Sequence, residues 1–191
     1  MNTVRMYTAS HLHAVGISCL LKSVKWRLDD INKTQLHNIH DNDFYLFVLA
    51  GLSLSNLLNR IRWIQSVSTI LKHPVLIIHC GIPSTILAQL DGCNIILCES
   101  TRSIEVMREV IKSWFLADKI GYKNAYKKNK LNSKEWAVLI TYLQVKDMLL
   151  TAIITERKIK TAYTNRQNAI TKLGFLHVNE LIRATSVCAK R

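Results

Sequence analysis

Apolar positions along the chain recur with two periods, which alternate through the first 116 residues. Residues 3–8 (TVRMYT) alternate and predict a first strand. From Leu12, the positions Leu12, Val15, Gly16, Cys19, Leu20 and Val24 fall at helical spacing. The polar passage from Asp29 to Asp43 predicts loop with some irregular helix. Phe44 to Ala50 (FYLFVLA) is an uninterrupted apolar run closed by Gly51, the pattern of a strand buried on both faces. Leu54 to Leu71 returns to helical spacing through Leu57, Leu58, Ile61, Ile64, Val67 and Leu71. A second apolar run, Val75 to Cys80, starts after Pro74 and ends at Gly81 and Pro83. Ile86 to Leu90 predicts a short helix at most, and Asn94 to Cys98 a third short apolar run. Ser103 to Phe115 is amphipathic, with Ile104, Met107, Val110, Ile111 and Trp114 on one face. Strand and helix repeated in this order imply a parallel sheet with helices on both faces, an α/β region spanning residues 1–116.

The pattern changes after a basic stretch, residues 117–130, which holds Lys119, Lys123, Lys127, Lys128 and Lys130. It reads as a solvated linker, with contact to a polyanion as the other reading. From Leu131 onward only helical spacing remains. Asn132 with Glu135 forms a capping box, and Trp136, Leu139, Ile140 and Leu143 follow on one face. A second helix runs from about Asp147 to Thr155 and a third from Lys158 to Leu173. The third buries Ala162, Ala169, Ile170 and Leu173 and turns Tyr163, Thr164, Gln167 and Thr171 outward. A fourth covers Val178 to Val187.

Between Leu131 and Gly174 the residues Leu131-Asn132-Ser133-Lys134-Glu135, Val138-Leu139, Lys160-Thr161-Ala162, Arg166, Asn168 and Lys172-Leu173-Gly174 form an ungapped pattern. It resembles the LuxR/FixJ-type helix-turn-helix of bacterial transcription regulators, and within them the atypical regulators of capsule and fimbrial genes. The resemblance implies an all-α four-helix domain over residues 131–191 whose third helix enters the major groove. It implies base contacts from Tyr163, Thr164 and Gln167. Lys158, Lys160, Thr161, Asn165, Arg166 and Lys172 are placed for phosphates, which orient the protein without reading sequence. Val145 stands where the family usually has Gly, and Asn165 where it often has His. In the second helix the family's core positions fall on Thr151, Ala152 and Thr155, whereas the apolar Leu150 and Ile154 lie one place earlier, so two registers are open. The fourth helix, with Asn179-Glu180-Leu181-Ile182, implies either a dimer contact or core packing.

Ahead of such a domain, the α/β region looks like the receiver domain of response regulators. The receiver's acidic pair would fall at Tyr7, Thr8, Ala9 and Ser10, its phosphate-accepting Asp at Val48, Leu49, Ala50 and Gly51, and its Lys near Cys98. Without carboxylates to hold magnesium and attack a phosphoryl group, phosphorylation has no mechanism, and the region reads as a pseudo-receiver.

Composition sharpens this picture in one respect. The net charge of +13 is uneven: residues 117–191 hold 15 Lys/Arg against 5 Asp/Glu, and residues 1–116 hold 11 against 8. A compact basic region points to double-stranded DNA as partner, with a merely soluble or lipid-facing basic surface as the alternative. Hydrophobic residues at 49%, with 6 Gly and 2 Pro, argue against disorder. The 5 cysteines lack any CxxC spacing and are expected as reduced thiols. The opening MNTVRMYTASHLH is polar, so no cleavable signal is expected, and no apolar run reaches the ~20 residues of a membrane span.

His11 and His13 are spaced wrongly for one helical face. Cys80, Cys98 and His79 suit core packing better than a metal or redox pair, and Ser84 and Ser100 have no evident His–acid partner. No enzyme, metal or cofactor is expected. The expectation is a bacterial cytoplasmic, nucleoid-associated DNA-binding regulator that is independent of phosphorylation. It acts as a homodimer, or as a heterodimer with another response-regulator-type protein. The rival is a protein-interaction module that binds and antagonises a related regulator without specific DNA binding.

Overall fold

The computed structural model describes residues 3–21, 24–30, 39–40, 42–117 and 130–186. Five parallel strands, β1 (Val4–Thr8), β2 (Trp26–Asp30), β3 (Phe44–Val48), β4 (Val75–His79) and β5 (Ile95–Glu99), form one sheet in the order β2-β1-β3-β4-β5. The helices α1 (His11–Leu20), α2 (Leu54–Ser68) and the short α3 (Ser84–Leu87), which continues as a 3-10 turn over Ala88–Leu90, lie between strands, and α4 (Ile104–Leu116) follows β5. Every residue of β3 is buried, as its unbroken apolar run requires of a central strand covered on both sides. Alternate side chains separate into two cores. Val4, Met6, Leu46, Val48, Leu76 and Ile78 face α1 and α4, whereas Tyr7, Tyr45, Phe47 and Ile77 face α2.

A strand that composition conceals precedes the polar passage and ends in its first two residues, Asp29 and Asp30. β2 pairs in parallel with β1 from Val4↔Trp26 to Thr8↔Asp30 at the edge of the sheet. Trp26, Arg27 and Leu28 are exposed, so no apolar run marks the strand. Residues 31–38 and 41 of that passage lie outside the described residues. Arg5 and Asp43, whose Nε and Oδ2 are 2.6 Å apart, align the start of β3 with β1, and the Trp114 indole donates to the Pro74 carbonyl at 2.6 Å to hold α4 over β4.

Four helices follow: α5 (Ser133–Val145), α6 (Met148–Ile154), α7 (Ile159–Lys172) and α8 (Val178–Ser186). They share a core with the sheet region: Leu131, Trp136, Leu139, Ile140, Ile170, Leu173 and Leu181 join the cluster that contains Leu57, Leu58, Ile61 and Ile64 of α2. Polar ties reinforce the joint. The buried Gln89 side chain accepts from the Leu131 N–H at 2.9 Å, its carbonyl accepts from Gln65, and Lys130 reaches the Asp91 carbonyl. Gly174, in the left-handed conformation at φ 83°, lies so close to Thr85 that a Cβ there would come within 3.0 Å of its Cγ2. Of the basic stretch 117–130, only Ala117 and Lys130 fall within the described residues. No helix among the described residues is long and apolar enough to cross a membrane.

Candidate nucleic-acid interface

The helical unit is set by its caps. Asn132 Oδ1 accepts from the N–H groups of Lys134 and Glu135 at 3.0 and 2.9 Å, and Glu135 Oε2 accepts from the Asn132 N–H at 2.9 Å, which completes the expected capping box. The same Oε2 meets Lys172 Nζ at 2.8 Å. Glu135 is only 3% exposed, so one carboxylate satisfies the start of α5 and ties it to the last turn of α7. Lys172 also donates to the Lys130 carbonyl at 3.3 Å.

Val145 is the last residue of α5. Its left-handed exit residue is Lys146, at φ 56°, a conformation that costs a non-glycine residue about 1 kcal/mol. Asp147 then caps α6 by accepting from the Leu150 N–H at 2.8 Å. This phase settles the register of α6. Thr151 and Ala152 face inward, and Leu149, Leu150, Ile153 and Ile154 lie outside, each at least half exposed. Thr151 is buried at little cost because its hydroxyl donates to the Asp147 carbonyl at 2.5 Å, and Thr155 repeats the bond to Thr151 at 2.6 Å. The α6–α7 turn is a Schellman motif. Glu156, at φ 53°, is its left-handed residue, and the N–H groups of Glu156 and Arg157 bond the carbonyls of Ile153 and Ala152.

α7 has one buried face of small side chains. Ala162 packs with Val138, Met148 and Ala152, and Ala169, Ile170 and Leu173 join the shared core. Tyr163, Thr164, Gln167 and Thr171 are exposed on the other side, and Lys158, Lys160 and Thr161 are exposed in the first turn. These are the residues singled out in the sequence, presented on one helix. Three of the polar side chains are held in place: Thr164 Oγ1 donates to the Lys160 carbonyl at 3.1 Å, Gln167 Nε2 donates to the Leu176 carbonyl at 3.1 Å, and the Arg166 guanidinium lies over the Tyr142 and Tyr163 rings at 4.6 and 5.2 Å. Arg166 and Asn165 are both half-buried, and among the described residues the Arg166 Nε and Asn165 Nδ2 have no acceptor. The Arg166 contact with Tyr142 and the bond between Gln167 and the α7–α8 turn depend on how separate elements meet, which residue spacing alone does not reveal.

The C-terminal edge of the sheet presents a different set of groups. β1 ends at Thr8, whose Oγ1 accepts from the Ser10 N–H at 3.1 Å. β3 ends in Val48, with Leu49 and Ala50 also buried, and Gly51 takes a left-handed φ of 72°. β5 ends in Cys98 and Glu99. Burial pushes the Cys98 thiol pKa up, and burial pushes that of His79 down while Glu99 partly opposes it. Among the described residues, no three His, Cys, Asp or Glu side chains converge as a metal site would need.

No family model and no curated protein matches the sequence. Solved structures match its shape along nearly the whole chain. One is RcsB from Salmonella enterica serovar Typhimurium bound to promoter rprA in the presence of phosphomimetic BeF3-, which is 17% identical with a TM-score of 0.56, covering 97% of this chain and 99% of that one. The same protein bound to promoter P1flhDC is 15% identical with a TM-score of 0.55, covering 97% and 98%. A further RcsB–DNA complex is 19% identical with a TM-score of 0.56, covering 96% and 98%. At this identity the likeness establishes the fold: a receiver-like parallel sheet followed by an all-helical region.

Proposed function

We propose that the protein is a sequence-specific DNA-binding transcription regulator that needs no phosphorylation. The observation that carries this reading is α7 itself. Its inner face is locked by Ala162, Ala169 and the Lys172–Glu135 pair, and its outer face leaves Lys158, Lys160, Thr161, Tyr163, Thr164 and Gln167 exposed together. A helix held rigidly from behind, with short polar and cationic side chains in front, suits insertion into a major groove.

Tyr163, Thr164 and Gln167 read base edges: the Gln167 amide turns from Leu176 to pair with adenine, and the Thr164 methyl packs on thymine. Lys158, Lys160 and Thr161 hold phosphates, with Arg166 and Asn165 presented beside them. Lys172 acts in this reading as the tie to Glu135, since a phosphate contact would take the cation from a buried carboxylate. The RcsB structures with the same fold are bound to promoters, which supports DNA as the partner.

Independence from phosphorylation is supported by the sheet edge, where buried Val48, Leu49 and Ala50 stand at the end of β3 with no carboxylate to accept a phosphoryl group. The reading implies neither enzyme activity nor a cofactor, and action in the bacterial cytoplasm, where the DNA is. A single recognition helix buries too little surface for tight specific binding, so the protein acts as a dimer or beside a partner regulator on paired half-sites. The domains it assigns are 1–116, a linker 117–130, and 131–191.

The test is selection of a random duplex library by the full-length protein at near-physiological salt. A motif of two half-sites supports the reading. Binding that disappears with salt and leaves no motif refutes it.

One observation favours a second reading, a module that binds and blocks a related regulator. Leu149, Leu150, Ile153 and Ile154 form an exposed apolar stripe on α6, beside the recognition helix. In that case changes on this stripe abolish activity, and changes in Thr164 and Gln167 do not.

A further inference from the structure

We propose that the cleft between α1 and α4, at the C-terminal edge of the sheet, binds a small amphipathic acid. Its apolar chain lies in the cleft and its carboxylate meets Arg108 and His13. The cleft has a volume of about 490 Å³, the size of a small-molecule site. Val48, Ala50 and Ile78, at the ends of β3 and β4, line it together with Ile17 and Met107 from the two helices. In open α/β sheets the carboxyl ends of the strands are where ligands bind, and here that position holds apolar side chains and one hydroxyl, Ser100.

Gly16 supplies the second observation. A glycine inside a helix costs about 1 kcal/mol relative to alanine. Gly51, Gly81, Gly92 and Gly174 each adopt a positive φ that accounts for the residue. Gly16 does not. It lies in the middle of α1, lines the cleft, and a Cβ added to it would meet nothing within 4 Å. No packing constraint requires the glycine, and its missing side chain leaves the cleft wider. At the mouth, Leu12 is 82% and Ile104 56% exposed, so apolar surface extends outward to meet a chain.

The charges select the head group. His13 and Arg108 line the cleft, and among the described residues no carboxylate does. Glu105, one turn before Arg108, bonds Ser103 and the backbone at the start of its own helix and feels Arg108 only as a weaker charge interaction, and Glu109 pairs with Lys112 at 2.7 Å. Arg108 is the guanidinium on the lining of the cleft, and a carboxylate is the group whose planar oxygens fit a guanidinium. The proposal does not depend on DNA binding.

The experiment titrates the full-length ¹⁵N-labelled protein with decanoate and, separately, with decanol, following amide shifts. Saturable decanoate shifts are expected at α1, Ser100 and the first turns of α4, with decanol weaker by about tenfold, the worth of one charge-assisted hydrogen bond. Gly16→Phe, which fills the cleft, should abolish both. Arg108→Gln, an exposed change that leaves the core intact, should weaken decanoate about tenfold and leave decanol unchanged. Equal binding of decanoate by wild type and Arg108→Gln overturns the head-group assignment. Shifts scattered over the surface, or retained in a folded Gly16→Phe, overturn the site. A wild-type dimer that Gly16→Phe separates into monomers, seen by sedimentation, would mean that a second copy fills the cleft instead.

Discussion

The C-terminal edge of the sheet and the outer face of α7 are the two places where this fold presents side chains for chemistry or recognition. They differ in what sits behind them. At the sheet edge the exposed and buried sets have merged. Val48, Leu49 and Ala50 are core residues, and the fold is stabilised by the side chains that end β3. At α7 the two sets remain separate, with alanines and the Glu135–Lys172 pair inside and lysines, Thr164 and Gln167 outside. A surface whose polar groups are not needed for packing can keep them. An edge whose polar groups must be desolvated keeps them only if something such as a metal ion compensates.

The strongest way to break this contrast is to return a carboxylate to the sheet edge. Val48→Asp should destabilise the protein by about 3–5 kcal/mol in urea denaturation, from lost apolar burial and a buried acid without a partner. A stable Val48→Asp variant that took up phosphate from acetyl phosphate would show that the edge still works as a receiver. Next in size is Lys172→Ala, which leaves the buried Glu135 without its cation. The expected loss is about 2–4 kcal/mol of stability, measured in the same way, and its effect on DNA affinity should follow from unfolding alone.

On the outer face the expected effects are on recognition. Thr164→Ala combined with Gln167→Ala should remove about 1–3 kcal/mol of discrimination between the selected operator and a scrambled one, with melting little changed. If repression or activation in cells survives that loss, the antagonist reading takes its place. Lys160→Ala should weaken binding to every sequence alike and lower the slope of log affinity against log salt by about one, read by fluorescence anisotropy at several salt concentrations. The smallest effect concerns pH. The folded-state pKa of His79 lies below its ordinary value, so the unfolded chain binds the extra proton first. Stability from this group is present above about pH 6.5 and is lost as pH falls below that value; His79→Gln should flatten that part of a stability–pH curve.

Much of the fold was legible because it rests on local patterns. The unbroken run in β3, the helical spacing of α2 and the Asn132–Glu135 box each occupy a few neighbouring residues, and each has one low-energy local structure. β2 was not legible: an edge strand with Trp26, Arg27 and Leu28 exposed need not alternate or be apolar, and its only evidence is the backbone pairing with β1. The register of α6 was ambiguous for a related reason. By hydrophobicity Leu150 and Ile154 should point inward, but the space beside Ala162 and Val138 is small. The left-handed Lys146 and the Asp147 cap turn Thr151 and Ala152 into it, with the threonine hydroxyls satisfied by carbonyls of their own helix.

The sequence by itself therefore determined the alternation of helices with β1, β3, β4 and β5, the start of α5, the two faces of α7 and the apolar end of β3. Each follows from residue type and spacing within about two turns of chain. The tertiary structure alone decided that α5, α7 and α8 share one core with α2, that Lys172 is spent on Glu135, that Gln167 is held by Leu176, and that a cleft opens beside Gly16. Those outcomes depend on which distant surfaces meet and how much room they leave, and no local preference encodes that.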